Sequence, residues 1–181
     1  HVDHAPIAAQ LEHVRAAIGG KDYLAQIGAI DPERSVIMGG SAGGFTVLQT
    51  MVEHPEAFRA GICMYGVADQ FHLAAETHKF EARYLDSLLG PLPEAAAIYR
   101  QRSPVLHAAQ IRRPIAVFQG ANDRVVPREQ SDAIVQALTR SGTPHVYQVY
   151  EGEGHGWRKV ETIEHFYRTV DDFLHRHVIY S

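Results

Sequence analysis

Arg34-Ser35-Val36-Ile37-Met38-Gly39-Gly40-Ser41-Ala42-Gly43-Gly44-Phe45 is the stretch from which the rest of the chain can be read. Val36 to Met38 is apolar and short enough for a buried strand. Glycines then surround a single serine, and Val47, Leu48, Met51 and Val52 follow at helical spacing. Strand, Gly-x-Ser-x-Gly, helix is the arrangement of a nucleophile elbow. It predicts a serine held on a sharp turn in a strained backbone conformation, with Gly39 and Gly43 leaving no room for side chains. A helix starting just past the serine points its free N–H groups and positive dipole end at any anion formed there, and the N–H of Ala42 is one candidate oxyanion donor. The plainer alternative is a glycine-rich turn with Ser41 capping the helix.

Composition narrows the setting. The chain has 181 residues, 45% of them apolar, enough for one domain with a core. A formal charge of −4 with scattered Lys and Arg gives no basic stripe, so nucleic acid is not an expected partner. No apolar run reaches the ~20 residues of a membrane span, and the His-rich, polar start does not read as a secretory signal. The single cysteine, Cys63, sits in a strand-like run and fits a reducing compartment, so the expected location is cytoplasmic. The twelve histidines contain no His-Glu-x-x-His and no zinc-spaced Cys pairing, so no metal or other cofactor is expected.

Upstream of the elbow, Ile7, Leu11, Val14 and Ile18 predict an amphipathic helix stopped by Gly19-Gly20. A short helical piece from Tyr23 to Ile27, ended by Gly28, follows. Downstream, Pro55 ends the elbow helix near His54, and Ala60 to Tyr65 reads as the next strand, making a βαβ unit with parallel strands. Residues 67–110 carry helical pieces near Lys79–Leu89 and Glu94–Arg102 and no strand signal. They read as an excursion over the strand ends, where substrate walls are built. Ile115–Gln119 and Val146–Tyr150 are strands, Arg128–Leu138 is a helix between them, and Val160–His175 closes the chain with Ile163, Phe166, Val170, Phe173 and Leu174 buried. The expected fold is α/β: about four mostly parallel strands with helices on both faces.

An acid and a histidine follow the last two strands. Gly120-Ala121-Asn122-Asp123 comes after the third, and Gly152-Glu153-Gly154-His155-Gly156-Trp157 after the fourth. In a parallel sheet, loops at the carboxyl ends share one side, so Ser41, Asp123 and His155 can converge. The order Ser, Asp, His is that of the α/β-hydrolases. His155 would take and return the serine proton, and Asp123 would orient the imidazole. Gly154 and Gly156 would give the histidine loop freedom to turn. As alternatives, Asp123 is an ordinary turn residue and His155 one surface histidine among many. His54, His78, His107 and His165 read as capping or solvated residues, and Glu151 and Glu153 as loop charge. Asp69 and Trp157 are candidates for lining a substrate pocket.

Asp31-Pro32-Glu33-Arg34 before Gly39-Gly40-Ser41-Ala42-Gly43-Gly44, then Gly120-x-x-Asp123-x-x-Val126-Pro127 and Gly152-Glu153-Gly154-His155-Gly156, resembles the catalytic domain of the prolyl oligopeptidase family. The nearer likeness is to its acylaminoacyl-peptidase and dipeptidyl-aminopeptidase branch. Thr77-His78-Lys79-Phe80-Glu81-Ala82-Arg83-Tyr84 and Ser103-Pro104 carry the same likeness, which covers about residues 21–178. The resemblance implies hydrolysis of esters or of short or acylated peptides through an acyl-enzyme on Ser41.

Family members also carry a propeller, and their hydrolase sheets have about eight strands, about four of them ahead of the elbow strand. This chain offers neither. Its elbow strand is therefore expected at a sheet edge, and the loop that supplies the second oxyanion donor is not in the sequence. Two expectations follow from this truncated α/β-hydrolase reading. The chain is a fragment of a longer polypeptide, or it pairs with a second copy as a homo-oligomer. The alternative function is an impaired hydrolase domain acting as an assembly or interaction module.

Overall fold

The computed structural model describes residues 5–76 and 82–181. Within them, α1 (Ala5–Gln26) precedes β1 (Val36–Gly40), α2 (Ala42–Glu53) and β2 (Ala60–Met64). Three short helices follow: α3 (Gln70–Glu76), α4 (Ala82–Leu89) and α5 (Ala96–Gln101). Then come β3 (Ile115–Gly120), α6 (Arg128–Ser141), β4 (His145–Tyr150) and α7 (Val160–Leu174). The start of the expected Lys79–Leu89 helix, and Thr77 to Glu81 of the resemblance, lie outside the described residues. α3 has no counterpart in the sequence expectations.

The four strands form one parallel sheet in the order β1-β2-β3-β4. Right-handed crossovers between successive parallel strands bring their helices to the same face. Accordingly Val47, Leu48 and Met51 of α2 pack with Ile134 and Leu138 of α6 against Ile37, Cys63, Ile115 and Val117. The other face is covered from the chain end, by Phe166, Val170 and Phe173 of α7 against Ala60, Ile62, Ala116 and Phe118. β2 and β3 are thus apolar on both faces, while β1 forms an edge with Met38 49% exposed. A satellite cluster of Leu85, Leu89, Ala95 and Tyr99 holds the α3–α5 region together.

Gly19-Gly20 does not stop α1, which runs through both. Two interior glycines cost about 1 kcal/mol each relative to alanine. Tertiary anchoring offsets this: Val14 is buried, Ala17 and Ile18 pack against the core, and Lys21 Nζ donates to the carbonyl of Ala57 at 2.9 Å. Termination comes at Gly28, with φ of 71°. The N–H of Ala29 reaches Leu24 and that of Gly28 reaches Ala25, which is a Schellman cap. On α7, Thr162 takes the inward position and Ile163 is left partly exposed. Thr162, Phe166, Val170 and Phe173 share one stripe, and Ile163 falls just past its edge.

Candidate active site

Ser41 stands between β1 and α2 with φ 57° and ψ −121°, a conformation that costs a non-glycine residue about 1–3 kcal/mol. The turn is held by the Ser41 N–H donating to Met64 O at 3.0 Å and by Phe45 N–H donating to Ser41 O at 3.0 Å. Its glycines are needed at particular places. A Cβ on Gly39 would lie 2.5 Å from Gly43 O, and one on Gly44 would lie 2.6 Å from Gly66 Cα. At Gly43 a Cβ would meet nothing within 4 Å, so the expected collision there belongs to Gly44 instead. The Ser41 side chain makes no cap bond to α2. Its Oγ lies 2.9 Å from His155 Nε2. Ala42 is exposed at the start of α2, where helix geometry leaves its N–H with no intrahelical acceptor.

Asp123 follows β3 in a tight turn. Its Oδ1 accepts the N–H groups of Val125 at 2.8 Å and Val126 at 3.0 Å, and its Oδ2 lies 2.8 Å from His155 Nδ1. The Asp123 side chain is fully buried, whereas that of His155 is a quarter exposed. A carboxylate oxygen accepts only, so Nδ1 carries the proton and Nε2 of the neutral ring accepts from the Ser41 hydroxyl. Gln119, unnoticed in the sequence, is buried beneath this turn. It donates to Val126 O at 3.1 Å and accepts from the Ser131 hydroxyl at 2.8 Å. Only its place at the end of a buried strand could have singled it out.

The histidine loop turns tightly, with Gly156 N–H donating to Gly154 O at 2.9 Å. Gly156 needs its glycine, at φ 116°, while Gly154 does not adopt a left-handed φ. Glu153 carries structure where loop charge was expected. It is buried, and its carboxylate accepts from the N–H of Arg158 at 3.1 Å and of Lys159 at 2.9 Å at the approach to α7. Burial works against its charge. The Lys159 and Arg158 N–H groups, Thr162 and the Lys159 ammonium outweigh that and hold its carboxyl below the usual range.

The remaining expectations find other places. Asp69 Oδ1 accepts the N–H groups of Phe71 and His72, capping α3. Trp157 packs edge-on to Tyr65 and Tyr150. His54 caps α2, His107 lies 3.1 Å from Arg100 O, and His165 contacts the Tyr150 hydroxyl. His78 lies outside the described residues. Among the described residues no three His, Cys, Asp or Glu side chains cluster as a metal site, and no helix is long and apolar enough to cross a membrane.

The family model of the prolyl oligopeptidases matches residues 12–179. The chain belongs to the prolyl oligopeptidase family. This prolyl oligopeptidase chain is 31% identical over 162 residues to dipeptidyl aminopeptidase BIII of Pseudoxanthomonas mexicana, covering 87% of itself and 24% of that protein. A solved puromycin-hydrolyzing peptidase of Mycobacterium tuberculosis superposes with a TM-score of 0.87 at 37% identity, over 92% of this chain and 25% of that one. An acylaminoacyl peptidase in complex with Z-Gly-Gly-Phe-chloromethyl ketone, at 21% identity and TM-score 0.79, covers 88% of this chain and 26% of its own and shares the fold. The chain thus spans about a quarter of the length of its relatives, and its four strands are part of an α/β-hydrolase domain.

Proposed function

We propose that this chain carries the catalytic triad of a serine hydrolase that cleaves esters, or short or acylated peptides, through an acyl-enzyme on Ser41. The observation that carries the reading is the continuous path from Asp123 Oδ2 through His155 to Ser41 Oγ, with both links under 3 Å. Ser41 Oγ attacks the substrate carbonyl carbon while its proton passes to His155 Nε2, and the carbonyl electron pair moves onto oxygen. The N–H of Ala42 donates to that oxyanion. Collapse expels the leaving group, which takes the proton from Nε2, and water repeats the sequence to free the acid. Asp123 stabilises the imidazolium throughout. The described parts of residues 67–110 are read as the pocket wall, with Asp69 there and Trp157 from the histidine loop as candidate lining residues.

A second oxyanion donor is worth on the order of 3 kcal/mol, and activated esters need it less than amides do. Ester turnover should therefore exceed amide turnover in the isolated chain. The test of the triad is fluorophosphonate labelling read by mass spectrometry. One adduct on Ser41, absent from Ser41→Ala, supports the reading, and an unlabelled folded protein defeats it.

Among the described residues one flank of β1 has no strand neighbour, and Met38 is exposed beside it, which favours a second reading: an impaired hydrolase domain whose role is assembly. Both readings have the edge completed, by further segments of a longer chain or by a second copy. Light scattering after size-exclusion chromatography decides this, and a stable monomer counts against it. The single buried thiol, Cys63, supports a cytoplasmic setting.

A further inference from the structure

Ser41 and Tyr65 are the non-glycine residues with positive φ among the described residues, at 57° and 39°. Ser41 is accounted for by its reaction, and Tyr65 is not. It follows β2, which lies between the strand leading to Ser41 and the strand leading to Asp123. Its N–H donates to Phe118 O at 2.7 Å, which fixes the unusual backbone. The ring then stands against His155 with centroids 4.6 Å apart, backed edge-on by Trp157 at 5.3 Å.

The second glycine of the elbow is explained by the same ring. A Cβ on Gly40 would lie 2.8 Å from Tyr65 Cε2 and 3.0 Å from its hydroxyl oxygen, so only glycine leaves the ring its place. The contacts at Nδ1 and Nε2 hold two points of the imidazole, which leaves the ring free to rotate about the line joining them and so to misalign Nε2. The glycines on either side of His155 have no side chains to hinder that rotation.

We propose that Tyr65 is a positioning residue that packs against the His155 imidazole so that Nε2 stays aimed at Ser41, and that Gly40 is glycine to admit it. The proposal rests on the triad reading above. Burial, and then the charge of Asp123, push the Tyr65 phenol up, so it presents an uncharged ring beside the histidine.

The experiment compares Tyr65→Leu, Tyr65→Phe and Gly40→Ala with wild type, in activated-ester kinetics and in the rate of fluorophosphonate labelling. Tyr65→Leu should lower kcat about ten- to a hundredfold with KM little changed, Gly40→Ala should fall in the same sense, and Tyr65→Phe should restore most of the rate. Equal loss in Tyr65→Phe and Tyr65→Leu would place the role in the hydroxyl and overturn the proposal. So would a raised KM at constant kcat, or wild-type rates in Tyr65→Leu.

A second measurement does not depend on activity. In the chain carrying 13C-labelled histidine, the His155 ring signals, identified by their loss in His155→Gln, should be shifted by the neighbouring ring. Tyr65→Phe should preserve that shift and Tyr65→Leu should abolish it. An unshifted His155 in the wild type overturns the proposal whether or not Ser41 reacts. A shifted His155 in a protein that does not label would sink the triad reading and leave the contact supported.

Discussion

The backbone N–H of Asn122 donates to the carbonyl of Glu153 at 2.8 Å, joining the turn that carries Asp123 to the loop that carries His155. The neighbouring Ala121 N–H does the same to Tyr150 at 3.0 Å. Just before them is Gly120, where a Cβ would overlap Gly154 O and approach Glu153 O to 2.7 Å. Asp123 and His155 are therefore held at hydrogen-bond distance by backbone contacts as well as by their own bond.

Gly120→Ala should force these two loops apart. A displacement of about 1 Å at the His155–Asp123 pair should lower kcat/KM for an activated ester by about a hundredfold, with an accompanying fall in Tm. Wild-type kinetics in this variant would show that the loop contact does not position the pair.

Ser41→Gly should be inactive and more stable than wild type. Glycine adopts φ 57° and ψ −121° without the penalty that serine bears, so relief of about 1 kcal/mol should appear as a raised Tm. Ser41→Ala, equally inactive, keeps the strained backbone and should not show the gain. Thermal melts of the two variants side by side check this.

Glu153 makes stability fall in acid. Its folded pKa lies below the ordinary 4.5, so its contribution is fully present above that value. As pH drops below 4.5 the unfolded chain takes up the proton first, and the contribution is lost as pH falls through the folded pKa. Glu153→Gln removes that titration and should flatten the decline of Tm with pH in this range. Parallel curves for the two proteins would contradict the assignment.

Cys63 should be inert in the folded chain. Burial pushes its thiol up to about 12, against a smaller opposing effect from the Gly66 backbone, and its Sγ rests 3.6 Å from Gly44 O. At pH 8 a disulfide reagent should titrate no thiol until denaturant is added, and then one per chain. Rapid reaction in the native state would show that the elbow region opens.

The strands, their parallel order and the loops bearing Ser41, Asp123 and His155 were legible because each depends on local signals: apolar runs of strand length, glycines at a sharp turn, helices between. Gly19-Gly20 was misleading for a related reason. Glycine weakens a helix by an amount that local sequence records, but the packing of Val14 and Ile18 that outweighs it does not show in the sequence. Glu153 read as loop charge because two acidic residues among glycines look alike, and only the buried one meets the N–H groups of Arg158 and Lys159.

By itself, the sequence determined which side chains arrive at the carboxyl edge of the sheet, since strand direction and chain order follow from short-range patterns. Tertiary structure alone decided that His155 reaches both partners, across 32 residues to Asp123 and 114 to Ser41. It also decided that Tyr65 lies against that ring. Distances of this kind depend on how sheet twist, helix packing and loop contacts add up, and no window of sequence contains that sum.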